Sequence, residues 1–159
     1  METLENLIDV FITTGLLVKV RSYGKTFRNT RKTSKFLFIS PSLRFAKLNN
    51  IYLPGIEGKE LEDYFTLIFE ENIKQNYEFG STRLLYDFAQ KGADFILSFN
   101  DRANIVIEVD FNKDKAIQIE NTKIKLTSFK YGLIFGSNSL EYIGNEIIKV
   151  PLRFLVFKK

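Results

Sequence analysis

The chain has 159 residues, 45% hydrophobic and 26% charged, which is the composition of a globular domain and excludes a disordered or low-complexity chain. It contains no Cys and no His, which excludes disulfides, thiolate and imidazole metal sites, Cys nucleophiles and the Ser-His-Asp triad. The net charge of +4 conceals a basic segment: residues 19 to 47 carry nine Lys or Arg and no Asp or Glu, a pattern that points to a polyanionic partner, most often nucleic acid.

In chain order, Leu4, Leu7, Ile8 and Phe11 fall at helical spacing, so residues 3 to 14 read as a helix, with Thr3 as N-cap and Gly15 as the stop. Leu16, Val18 and Val20 alternate as in a strand. A basic loop to Ser34 follows, then a partner strand from Phe36 to Ile39 and a short helix opened by Ser40-Pro41. Helix, strand, basic loop, strand and short helix predict a winged-helix-like basic lobe over residues 1–50, with the loop as its wing. Asn49 to Gly58 reads as a linker, with a turn at Pro54-Gly55, and a second domain is expected over residues 58–159.

That second domain opens with a helix from Lys59 to Gln75, whose apolar stripe is Leu61, Tyr64, Phe65, Ile68, Phe69 and Ile73. Strands are expected at Arg83–Phe88, Ala93–Phe99 and Ile105–Phe111, the last two joined by a hairpin turn at Asn100 to Ala103. Ile124–Phe129 reads as a strand or short helix, Tyr131–Phe135 and Ile147–Val150 as buried strands, and Pro151–Phe157 as a terminal helix. Phe95, Phe99, Phe111, Phe129 and Phe135 are expected in the core. Gly24-Lys25-Thr26 looks like the end of a P-loop, but the Gly that pattern needs five residues earlier is Lys19, so nucleotide binding there is excluded. No apolar run reaches the roughly 20 residues that span a bilayer. Met1 to Asp9 carries three acids and no base, the opposite of a signal peptide, so a cytoplasmic protein without membrane contact is expected.

Without His or Cys, any metal chemistry must use a hard cation, Mg²⁺ or Mn²⁺, on oxygen ligands. One arrangement suits it. Asp94 opens a strand, and Glu108 and Asp110, two residues apart, share one face of the next. A hairpin would set Asp94 beside Glu108 and Asp110, and Glu62 would complete the cluster if its helix crossed that sheet edge. Such a group could hold a divalent cation that activates water and neutralises charge in phosphodiester hydrolysis. Asp94 and Glu108 are the candidate metal ligands.

These segments resemble the PD-(D/E)xK nuclease superfamily, and more closely the nuclease-like C-terminal domain found on many archaeal and bacterial AAA+-type P-loop ATPases. The residues that carry the resemblance are Leu7-Ile8-Asp9 through Gly15-Leu16-Leu17, Lys35-Phe36-Leu37-Phe38-Ile39-Ser40-Pro41, Gly58-Lys59-Glu60-Leu61-Glu62-Asp63-Tyr64, Gly92-Ala93-Asp94-Phe95-Ile96, Ile107-Glu108-Val109-Asp110 and Ile148-Lys149-Val150-Pro151-Leu152. The resemblance implies an α/β fold with a restriction-endonuclease-like mixed sheet flanked by helices, preceded by the winged lobe. It also implies DNA as ligand and a P-loop ATPase as partner, either in a longer chain or beside a free-standing relative, with a homo-oligomer as a further possibility.

The family's catalytic Lys falls on Asp110 here, where a carboxylate adds repulsion in place of a cation. Lys113 or Lys115 would be the substitutes. Three readings follow: a nucleic-acid-binding, nuclease-like domain with a degenerate site; an active Mg²⁺-dependent DNA nuclease with a migrated lysine; and a non-enzymatic module that regulates an ATPase. The expected nucleic-acid contacts are Lys19, Arg21, Lys25, Arg28, Arg31, Lys32, Lys35, Arg44 and Lys47.

Overall fold

The structure is a computed structural model that describes residues 2–24, 34–47, 56–75, 80–100, 103–110 and 116–156. Helix α1 (Glu2–Thr13) stops at Gly15, whose φ of 73° is the left-handed conformation that favours glycine. Two hydrogen bonds close the stop, from Leu16 N to Phe11 O at 2.9 Å and from Gly15 N to Ile12 O at 3.1 Å. They satisfy carbonyls that the last helical turn leaves without partners. Strand β1 (Leu17–Ser22) then pairs antiparallel with β2 (Ser34–Phe38), in a register from Leu17 opposite Phe38 to Arg21 opposite Ser34. Helix α2 (Pro41–Lys47) follows at once, as the Ser-Pro start predicts.

Helix α3 (Ile56–Ile68) begins inside the stretch expected to be linker, and the rest of that stretch, together with Pro54-Gly55, lies outside the described residues. Beyond Ile68 the helix widens into a π-helical turn, Phe69–Ile73, marked by the bond from Lys74 N to Phe69 O at 2.9 Å. Strands β3 (Thr82–Tyr86), β4 (Phe95–Phe99) and β5 (Ala103–Val109) form an antiparallel meander. Helix α4 (Ile117–Lys123) returns the chain to β6 (Phe129–Ser137), parallel to β5. The helix weighed at Ile124–Phe129 therefore lies about two turns earlier, where Ile119 and Thr122 at i and i+3 turn into the protein. A short strand β7 (Glu141–Ile143), not anticipated, pairs antiparallel with β8 (Ile147–Pro151), which runs parallel to β6 and leads into α5 (Arg153–Val156).

Among the described residues, eight strands form one mixed sheet in the order β2-β1-β3-β4-β5-β6-β8-β7. The segment 1–50, expected as a lobe of its own, contributes the two strands at one end of it. There β1 runs parallel to β3, Arg21 opposite Leu85 and Ser22 opposite Tyr86, and Tyr23 N donates to Tyr86 O at 2.8 Å. Alternation along the strands divides the core in two. On one face Leu61, Phe65 and Phe69 pack on Val20, Leu37, Leu84, Phe95, Leu97, Ile107, Val109 and Phe135. On the other, Ile119 of α4 packs on Ala93, Val106, Ile134 and Ile147. Of the phenylalanines expected inside, Phe95 and Phe135 are buried and Phe99 and Phe129 partly so, whereas Phe111 lies outside the described residues. No helix among the described residues is long and apolar enough to cross a membrane.

Helix α4 approaches the sheet closely at Gly132. A Cβ there would stand 2.6 Å from Ile119 Cγ2 and 3.1 Å from Ile147 Cγ1, whereas one at Gly58 in α3 would meet nothing within 4 Å. In urea unfolding, Gly132→Ala is expected to lose about 1 to 3 kcal/mol by overpacking. Gly58→Ala is expected to gain up to about 1 kcal/mol from helix propensity.

Candidate functional site

Asp94 immediately precedes β4, and the register of Phe95 opposite Ile107 carries it to the level of Glu108 at the carboxyl end of β5. Its Oδ2 accepts a hydrogen bond from Val109 N at 3.1 Å, so this carboxylate ends the β4–β5 ladder. Glu108 is 1% exposed. Ile107 and Val109 on either side of it point to the α3 face, so Glu108 leaves the strand on the α4 face. Asp110 stays in line with β6 through the bond from its amide to Phe135 O at 2.9 Å, and alternation puts it on the same face as Glu108. The structure thus places Asp94, Glu108 and Asp110 at one end of two neighbouring strands.

Glu62 stands over the opposite face. Phe65, one turn along α3, stacks on Phe95 with ring centroids 4.9 Å apart, which brings the start of the helix over this end of the sheet. Glu62 is buried there, ion-paired with Lys35 of β2 and, at 3.0 Å, with Lys59. Lys35 also lies 5.0 Å from the Phe95 ring centroid. Among the described residues, no group of three or more Asp or Glu is arranged to hold a metal ion. With Asp94 bonded to a backbone amide and Glu62 to lysines, the described residues do not by themselves fit Mg²⁺ or Mn²⁺.

Next to Glu62, Asp63 is fully buried and accepts two hydrogen bonds from Arg44, at 2.7 and 2.9 Å, and one from Phe38 N at 3.0 Å. Burial pushes its pKa above the ordinary aspartate value, although Arg44 and the Phe38 amide pull the other way. Of the nine cations assigned to nucleic acid, Lys35 and Arg44 are therefore ion-paired to α3. Lys19 and Arg21 are exposed on β1, and Lys47 is the last residue of α2. Lys25, Arg28, Arg31 and Lys32 lie outside the described residues, as do the substitute lysines Lys113 and Lys115.

The structure adds cations that the sequence reading passed over. Strands β1 and β3 pair only at their ends, and beside that pairing is a groove of about 240 Å³ lined by Lys19, Arg21, Arg83, Phe69, Glu70 and Lys74. Lys74 is ion-paired to Glu70 at 2.5 Å. Arg83 lies in a mostly apolar strand, so a count of charge along the chain misses it. The sole hint is its place between Thr82 and Leu84, on the face opposite the buried Leu84.

Behind the acidic strand ends, Asp87 ties the 87–93 loop to α4. Its Oδ2 accepts from Thr122 Oγ1 at 2.8 Å and pairs with Lys125, and Thr122 Oγ1 accepts from Ala93 N at 2.9 Å. Burial alone would raise the Asp87 pKa, but Lys125, the Ala89 amide and the Thr122 hydroxyl outweigh it and hold the group below the ordinary value. A folded pKa below the unfolded one contributes stability above about pH 4, lost as pH falls through the folded value. Asp87→Asn should therefore cost about 1 to 3 kcal/mol at pH 7 in denaturant unfolding, and its gap from wild type should shrink as pH drops below about 4.

No family model matches the chain, and no solved structure matches it. It is similar to an uncharacterized protein of Methanocaldococcus jannaschii, 31% identical over 155 residues that cover 94% of this chain and 31% of that protein. The chain thus spans about a third of the length of the curated relative it matches.

Proposed function

We propose that this chain is a nucleic-acid-binding, nuclease-like domain, with DNA as its polymer and a degenerate metal-dependent phosphodiesterase site. The observation that carries the reading is the exposed Lys19 and Arg21 beside the groove between β1 and β3, to which Arg83 adds a third exposed cation. Cations at a sheet surface neutralise phosphates and release counterions, which favours binding without regard to base sequence. The nuclease-like part rests on the resemblance, on Asp94 and Glu108 at adjacent strand ends, and on a mixed sheet with helices on both faces. In this reading the sheet is restriction-endonuclease-like, and α1, β1, β2 and α2 are a winged-helix-like lobe fused to it. The site is degenerate because Asp110 stands where the resemblance calls for Lys and because Glu62 is held by Lys35 and Lys59.

A second reading, a non-enzymatic module acting with a P-loop ATPase, is favoured by α1, where Leu4, Leu7 and Val10 are 65%, 48% and 53% exposed. An apolar helix stripe left in water suits a protein contact. In this reading the additional length of the relative would be the counterpart of that contact.

Two measurements test the proposal. Lys19→Ala with Arg21→Ala should weaken DNA binding about tenfold or more near physiological salt, as expected for two lost phosphate contacts. An unchanged affinity moves the assignment to the protein-contact module. In a plasmid-nicking assay with Mn²⁺, the wild type should not cut, whereas Asp110→Lys should nick and the added Glu108→Ala should remove that activity. Cutting by the wild type that Glu108→Ala abolishes would replace the degenerate reading with the active nuclease, its lysine supplied by Lys113 or Lys115.

A further inference from the structure

The same alternation that buries Val18 and Val20 against the α3 face turns Lys19 and Arg21 to the other face of β1. Leu37 of β2 is buried on the α3 face, so Phe36 points away from it; Leu84 does the same for Arg83 on β3. Phe36 lies directly opposite Lys19 in the β1–β2 register, and Lys19 Nζ is 6.0 Å from its ring centroid. The outer face of three adjoining strands therefore carries Phe36, 39% exposed, with the half-buried Phe38 at the strand end, and three exposed cations. Helix α4, which lies on this face, packs over Val106 and Ile134 of β5 and β6.

Phe36 is half-exposed, and its nearest described cation is Lys19. A ring flanked by Lys and Arg on a sheet surface suits a base stacked on the ring and phosphates on the cations. In a duplex each base face is already covered by its neighbours, so the ring has nothing to stack on. An unpaired base offers its face without that cost.

We infer that the outer face of β2, β1 and β3 binds single-stranded DNA, with Phe36 stacking one base and Lys19, Arg21 and Arg83 taking the adjoining phosphates. This rests on the nucleic-acid reading above and specifies its ligand.

The chain has no Trp, so Phe36→Trp places a single tryptophan, excited apart from the tyrosines, at the stacking position. Its emission is expected to be quenched by an oligodeoxythymidine strand and left unchanged by a mixed-sequence duplex of equal length. Wild type should bind the single strand more tightly than the duplex at equal salt. Phe36→Leu, which keeps an apolar side chain at this half-exposed position, should weaken the single strand by about fivefold to a hundredfold, and Phe36→Tyr should restore it. The duplex affinity should be the same in all three proteins. Equal or tighter duplex binding, with no effect of Phe36→Leu, overturns the single-strand platform and leaves the nucleic-acid reading standing. Binding of neither polymer overturns both. Tighter binding of oligouridine than of oligodeoxythymidine, lost in Phe36→Leu, overturns the assignment to DNA in favour of RNA.

Discussion

Two adjacent carboxylates on α3 set how the first fifty residues attach to the rest. Asp63 is completely enclosed, and a buried carboxylate without partners costs several kcal/mol. Its partners come from outside α3: the Arg44 guanidinium on α2 and the Phe38 amide at the end of β2. Glu62, one residue earlier, takes Lys35 from β2. A chain that buries both acids must therefore bring β2 and α2 against α3, and β1, paired to β2 along five residues, comes with them. The contact of β1 with β3, only two register pairs long, then extends the sheet across a junction that the buried charges hold in place.

This constraint also sorts the basic segment. Its positive charge reads along the chain as one patch, but the fold divides it by strand parity and by demand from α3. Lys35, on the α3 face of β2, and Arg44, on α2, neutralise the buried acids. Lys19 and Arg21, on the outer face of β1, remain at the surface and are joined there by Arg83 from a different part of the chain. The acidic strand ends are organised separately. Asp94 ends the β4–β5 ladder, Glu108 is sealed on the α4 face, and Asp87 anchors the loop before β4 through Thr122 and Lys125. Surface cations and strand-end acids thus belong to different parts of one sheet.

Much of this was legible in the residues, for identifiable reasons. Gly15 stops α1, Ser40-Pro41 starts α2, and the Ile/Val/Phe runs at 105–109 and 131–135 are strands, because each signal is local. The β4–β5 hairpin and the level of Asp94 with Glu108 followed from period-two geometry. What could not be read was long-range. Glu62 shows no sign in sequence that Lys35, many residues away, will claim it, so its helix position alone made it look available to a metal. The parallel step from β1 to β3 has no local signature either. Helix α4 was misplaced because Ile117 and Ile119 lie two apart, a strand-like spacing, and the helical signal comes from Ile119 with the polar Thr122. The π-helical turn at Phe69–Ile73 is equally silent, since its apolar residues continue the α3 stripe.

The central claim is that the surface cations serve a polyanion. Its most direct test is the affinity of the intact chain for a labelled DNA strand, followed across a series of salt concentrations. Three phosphate contacts by Lys19, Arg21 and Arg83 predict a linear fall of log affinity against log salt with a slope near −2 or steeper. A slope near zero, or no binding at low salt, would contradict the account and leave these cations as solvated surface charge.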